Sequence, residues 1–300
     1  MLMKKLSRNF LGIPAGFRAI AVVLALGFAS AHADTIYVSY ENTNTIEVFN
    51  AEGNDQGPFV TQGLDSPYGL AFDPTGNLYV ANQGTGTVEK FSSAGIYRGS
   101  FVKSGLNMPW GIAFDHVGNL YVASAGSSTI EKFSMTGQSL GTFARDGLNG
   151  PVDLRFDAGG NLYVANMFSK KVKKLSPRGV DQGVIADLNV SEPKALAIDK
   201  DGNIYVANPS TKSIVKYSSK GADMGVFAKS GVNGPAGMTF DSAGNLYLAN
   251  AGNNSIEKYS PTGEDLGVFA KTGLNKPAFI IAQPDAKKPP AVAEALAPRR

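Results

Sequence analysis

The stretch PYGLAFDPTGNLYVANQGTGTVEKFSSAG, residues 67–95, returns with small changes at 109–137 and 235–263, with looser copies between them. Its landmarks keep a constant interval of 42 residues: Tyr37, Tyr79, Tyr121, Tyr163, Tyr205 and Tyr247 form one series, and Pro67, Pro109, Pro151, Pro193, Pro235 and Pro277 another. Within a copy, Gly69 to Phe72 and Asn77 to Ala81 read as two inner strands separated by the turn Asp73-Pro74-Thr75-Gly76. A third strand follows at Thr87 to Phe91, and a weaker fourth surrounds Phe101 after a turn at Gly95. The inner strands are apolar at successive positions, as expected where both faces are covered. The outer ones mix charge with apolar residues, as in Ile130-Glu131-Lys132-Phe133. A period in the low forties with several short strands per copy predicts an all-β fold, a β-propeller.

The two series are out of phase, and the offset predicts how the ring closes. Tyr37 has no Pro ahead of it, and Pro277 has no Tyr behind it. The segment from Asp34 therefore brings most of one blade, and Gly273 to Gln283 supplies its missing first strand. Six four-stranded antiparallel blades result over residues 34–283, with the N- and C-terminal segments joined in one sheet and no orphan edge at the seam.

Residues 1–33 stand outside the repeat. Lys4, Lys5, Arg8 and Arg18 precede an uncharged stretch from Ala19 to Ala29, and Ala31-His32-Ala33 supplies small residues before Asp34. This pattern predicts a cleaved secretory signal peptide; the stretch is too short for a comfortable membrane span, and Ser7-Arg8-Asn9 lacks a twin arginine. The expectation is export to the periplasm or the cell exterior, without stable membrane insertion after cleavage. Four of the 28 basic residues and none of the 25 acidic ones fall in this leader, so the remainder is close to neutral. Nucleic acid is thus a poor partner on electrostatic grounds. There is no cysteine, so an exported chain of this sequence carries no disulfide. Residues 284–300, rich in Ala, Pro and charge, read as a disordered tail. Lys and Arg beside the outer strands at Phe101, Phe143, Phe227 and Phe269 argue against edge-to-edge association and favour a monomer.

The recurrent Pro-x-Gly-Leu/Ile-Ala-Phe-Asp, then Gly-Asn-Leu-Tyr-Val-Ala-Asn, then Ile-Glu-Lys-Phe and a Gly resembles the NHL repeat, over the whole chain except leader and tail. The resemblance implies a six-bladed propeller. It leaves function open, because that family includes protein-binding and RNA-binding modules, extracellular sensor domains and peptidyl-hydroxyglycine lyases, and related propellers include gluconolactonases and virginiamycin B lyase. The family often carries Asp after Tyr-Val-Ala. This chain has Asn82, Ser124, Asn166, Asn208 and Asn250 instead, so a carboxylate ring at that level is absent.

Whatever all copies share is expected to be structural, and chemistry is sought where the repeat breaks. Asp73, Asp115, Asp157, Asp199 and Asp241 each open Asp-x-x-Gly-Asn, a turn whose side chain can bond turn amides. Asn107, Asn149, Asn233 and Asn275, with Asp65 and Ser191 in the same slot, read as loop organisers two residues before each Pro. His116 is the only histidine after the leader and sits in a variable turn position, so a His-based metal or acid/base site cannot be assembled. No catalytic residue, metal ligand or cofactor is assigned.

The slot after each blade-starting Pro, at the mouth of the channel, is not uniform: Tyr68, Trp110, Val152, Lys194, Ala236 and Ala278. Asp153 replaces the Gly of positions 69, 111 and 237, Arg155 replaces the Ala of 71 and 113, and the adjoining loop adds Met167, Phe168, Lys170 and Lys171. An aromatic and basic sector of this kind suits an anionic or sugar-like ligand or a partner loop. The same side chains would also serve as a channel plug, with Asp153 and Arg155 as an internal ion pair. The candidate ligand-binding set is Tyr68, Trp110, Asp153, Arg155, Phe168, Lys170 and Lys194. The expected function is an exported non-catalytic scaffold for a protein, peptide or envelope glycan. The alternative is a metal-dependent hydrolase or lactonase of gluconolactonase type, or a lyase, acting in the channel.

Overall fold

Short apolar strands punctuated by Gly and Asp turns can bury both faces only by stacking sheets around an axis, and the chain does so six times. The computed structural model describes residues 34–187 and 192–284. The expected leader, Ser191 and the tail beyond Pro284 lie outside the described residues. Among these, 24 strands form six four-stranded antiparallel sheets, and no helix is long and apolar enough to cross a membrane. Blades are numbered from the one that holds Tyr37. Blade 2 runs Pro67–Phe72, Leu78–Asn82, Thr87–Phe91 and Tyr97–Val102 from axis to rim.

Blade 1 closes the ring as the offset predicts. Its innermost strand is Pro277–Pro284, paired from Asp34↔Pro284 to Tyr40↔Pro277, followed outward by Thr45–Phe49 and Asp55–Val60. The Asp34 carboxylate also accepts hydrogen bonds from the Ser242 amide (2.6 Å) and hydroxyl (2.9 Å), tying the first described residue to blade 6.

The Tyr series holds neighbouring blades together. Tyr79 meets Phe101 of its own outer strand and Phe114 of the first strand of blade 3, both edge-on at 4.8 Å between ring centroids. Tyr37, Tyr121 and Tyr205 repeat the arrangement at 4.8–5.0 Å. Each such pair adds about 0.5–1.5 kcal/mol beyond the area it buries. Two blades depart: the cluster around Tyr163 of blade 4 supplies Ile185 and Ile198 in place of both phenylalanines, and Tyr247 of blade 6 keeps Phe269 but has Ala282 from blade 1 in place of the second.

The same tyrosines are anchored at their polar ends. Tyr79 donates its hydroxyl to Asp73 Oδ2 at 3.3 Å, and Asp73 also accepts from the Thr75 and Asn77 amides and from Asn77 Nδ2. The repeated aspartates therefore organise turns, as expected of Asp-x-x-Gly-Asn. Burial alone would raise the Asp73 carboxyl, but the bonds from Asn77 and Thr75 outweigh it and hold the group below the usual carboxylate range. Asp115 and Asp199 behave alike. Lys90, Lys132, Lys174, Lys216 and Lys258 lie over the tyrosine rings at 4.9–5.1 Å.

The loop before each Pro is organised differently from the sequence expectation. The backbone amides of Asn107, Asn149 and Asn233 bond to Ser124 Oγ, Asn166 Oδ1 and Asn250 Oδ1 across the blade, at 2.8, 3.1 and 3.0 Å. The organising side chain is thus the one that ends the second strand. Outer edges are blunted by a bulge: Gly57, Gly183, Gly225 and Gly267 adopt φ of 84–101°, and their amides are taken up by Asp55, Asp181, Asp223 and Asp265 at 2.7–2.8 Å.

Removing the Tyr79 ring should cost ~3–5 kcal/mol. Tyr79→Phe, which keeps both aromatic contacts and loses one hydrogen bond, should cost ~1 kcal/mol. Urea unfolding of the two variants beside the parent protein checks the ordering.

Candidate functional site

Each strand crosses the disc once, so the loops entering the first strands and those joining second to third strands emerge at one end, and the Asp turns at the other. At the first end, five of the six residues that follow a blade-starting Pro line one depression of about 410 Å³: Tyr68, Trp110, Lys194, Ala236 and Ala278. The sixth, Val152, is buried in the interface of blades 4 and 5. Glu41, Asn42, Pro209 and Ala251 come from second-to-third-strand loops, and Lys276 stands before Pro277.

The two aromatics form a tilted pair, 4.3 Å between centroids at 37°. Tyr68 is held below by Phe279 at 6.2 Å, and its carbonyl accepts from Ser39 Oγ at 2.7 Å. Burial first, then the negative charges of Asp153 and Glu41, push the Tyr68 phenol well above its ordinary range, so it stays neutral. Trp110 is partly buried, and its Nε1 has no acceptor. This pair is fixed because blades 2 and 3 approach closely there: a Cβ on Gly69 would lie 2.2 Å from the Trp110 carbonyl oxygen.

The structure brings three of the seven candidate residues together and separates the other four. Asp153 is fully buried and does not line the depression. Its Oδ1 accepts from the Leu154 amide (2.8 Å) and from Arg155 NH1 (2.7 Å), and its Oδ2 from the Leu196 amide of blade 5 (2.8 Å). Arg155 reaches across the channel to the Met238 carbonyl of blade 6 (3.4 Å) and lies 4.9 Å over the Phe279 ring of blade 1. The two residues are an internal ion pair inside the ring, one of the alternatives the sequence left open. They sit one and three residues further along the strand than the mouth position, which carries them down the channel. Phe168, 63% exposed, covers Gly150, and Lys170 is exposed in a left-handed conformation with φ of 58°. Both stand on the rim outside the depression.

Glu41 and Lys276 were missed by the sequence argument. They too break their own 42-residue series: position 41 is followed by Gln83, Ala125, Met167, Pro209 and Ala251, and position 276 is preceded by Ser66, Met108, Gly150, Glu192 and Gly234. The signal is the same break of the repeat that marks Tyr68 and Trp110, at positions outside the slot after Pro. At the opposite end, His116 is exposed in its turn. Among the described residues no three His, Asp or Glu side chains converge as metal ligands would.

No family model matches the chain, and no curated protein matches it in sequence. Solved structures do match in shape. A chain of the nidogen/laminin complex superposes with a TM-score of 0.72 at 19% identity, over 83% of this chain and 97% of that one. A protein of unknown function from Bacteroides caccae gives 0.67 at 15%, over 83% and 98%. Streptogramin B lyase gives 0.65 at 14%, over 82% and 83%. At these identities the likeness is one of fold: the chain is a six-bladed β-propeller.

The site and the turns carry opposite pH dependences. Asp73, Asp115 and Asp199, held low, contribute stability that is present above about pH 4 and lost as pH falls through their folded values. Asp153 is pushed up to about 6, chiefly by burial, against the pull of Arg155 and the Leu196 and Leu154 amides. Its contribution is therefore fully present below about pH 4 and lost as pH rises through 6, on the order of 2–3 kcal/mol. Thermal stability should peak near pH 4, and Asp153→Asn should remove the decline between about pH 4 and 6. Melting curves of both proteins from pH 3 to 8 test this.

Proposed function

We propose that the protein is an exported, non-catalytic propeller of NHL type that captures a protein, peptide or envelope glycan at its channel mouth. One observation carries the proposal. The side chains that break the repeat at the mouth, Tyr68, Trp110 and Lys194, converge on one depression, while the carboxylates that five of the six blades share are engaged in turns. A mostly apolar concavity with an aromatic pair and a few charged groups is the usual form of a recognition site. The NHL assignment is supported by the motifs at 67–95, 109–137 and 235–263 and by the six-bladed ring.

Capture from an envelope extract of the source cells tests the binding function. The purified protein should retain a partner that the Trp110→Ala/Lys194→Glu variant loses by tenfold or more. Equal retention by both would reject this face, and turnover of a lactone or glycoside with added divalent ion would reject the non-catalytic reading. Export has its own check: the protein recovered from expressing cells should begin at Asp34 by mass spectrometry, and recovery with Met1 retained would overturn leader cleavage.

A further inference from the structure

We infer that the mouth selects a carboxylate-bearing peptide segment, and that Lys194, positioned by the buried Asp153, is the residue that selects it; this rests on the binding function proposed above.

The wall argues for a peptide. Pro209, Pro235, Pro277, Ala236, Ala251 and Ala278 present no side-chain donor or acceptor, and the three prolines lack even an amide hydrogen. A sugar ring, hydroxylated on every side, would leave unpaired those groups that face this part of the wall, away from Glu41, Asn42, Lys194 and Lys276. An apolar peptide side chain would not. The concave shape likewise suits an inserted segment better than a flat surface.

Charge argues for an acidic one. The depression holds Lys194 and Lys276 against Glu41. Lys132, Lys174, Lys216 and Lys258 each have an aspartate within 4.0 Å, and Lys173 is paired with Asp181. Neither Lys194 nor Lys276 has a carboxylate within that distance among the described residues, and of the two Lys194 is half-buried where Lys276 is exposed. A ligand carboxylate supplies the missing counter-charge.

Asp153 connects this cation to the channel. Gly69, Gly111 and Gly237 let the next blade approach so closely that a Cβ would fall 2.2–2.9 Å from its backbone. Blade 4 has Asp153 at that position, and the first strand of blade 5 is cut to Leu196–Ile198, where the other blades have at least six residues. The carboxylate fills the gap and holds the Leu196 amide, two residues from Lys194. Arg155 in turn braces the carboxylate from blade 4 against blades 6 and 1. Asp153, Arg155 and Lys194, all departures from the repeat, thus form one connected support from the channel to the mouth.

The test uses Trp110, the only tryptophan of the chain, as reporter. A displayed library of random linear heptapeptides is selected on the purified protein and on Lys194→Glu. Retained sequences should be enriched in Asp and Glu, and Lys194→Glu should turn the enrichment toward Lys and Arg. A synthetic acidic heptapeptide from the selection should shift Trp110 fluorescence and bind tenfold or more tighter than its amidated, neutral counterpart. Lys194→Met should abolish that ratio, and Asp153→Asn should lower it at least threefold in protein that still melts cooperatively. A purely structural Asp153 would change the melting temperature and leave the ratio intact. An empty selection, the absence of acidic enrichment, or fluorescence binding of tetragalacturonate but of no peptide would each overturn the inference. Acidic peptides retained equally by Trp110→Ala would show that they bind elsewhere, and the mouth itself would then fail as the binding face.

Discussion

The ring depends on one contact made again and again: a tyrosine on the second strand of a blade, in four of the six blades wedged edge-on between an aromatic of its own rim strand and one from the innermost strand of the next blade. It links the wet edge of one sheet to the axis of its neighbour, and its hydroxyl is tied to the aspartate of the adjoining turn. A closed ring permits this because every blade has a neighbour on each side, including blade 1, completed by the chain's last described strand. Without closure one interface would be missing and two sheet edges would be exposed.

The largest departure from that rule is at one place, blade 6 giving up only one phenylalanine, to Ala282 of blade 1. Between blades 4 and 5 the flanking phenylalanines become Ile185 and Ile198, the packing glycine becomes Asp153, and the innermost strand of blade 5 shortens to three residues. A weakened hydrophobic contact is here accompanied by a buried, hydrogen-bonded ion pair. A buried ion pair costs desolvation and is weak evidence of stability, so its presence at the most irregular interface points to a positional role. In the next blade it holds the Leu196 amide, two residues along the chain from Lys194 of the mouth.

The propeller itself was legible in the sequence because its cause is local and repeated: each 42-residue copy specifies the same turns, the same alternation and the same tyrosine. The turn role of Asp73 and its equivalents was legible for the same reason. The site was legible in part. Tyr68, Trp110 and Lys194 stand out as exceptions in register, and register alone brings them to one end of the disc. Asp153 and Arg155 stand out equally, yet a step of one or three residues down a strand moves a side chain from the mouth into the channel, and no pattern of residue types measures that depth. Phe168 and Lys170 share the correct end but not the correct radius.

The sequence by itself determined the number of blades, the seam that closes them and the ends at which loops emerge, since these follow from period, phase and antiparallel alternation. Only the tertiary structure decided which exceptional residues meet. It showed that Glu41 and Lys276 share a wall with Tyr68, that the Asp153 carboxylate is shared between its own blade and the next, and that Lys194 has no ion-pair partner among the described residues. Those are contacts between residues tens to hundreds of positions apart, set by how closely adjacent blades approach the axis, and that distance is fixed by packing across the whole ring.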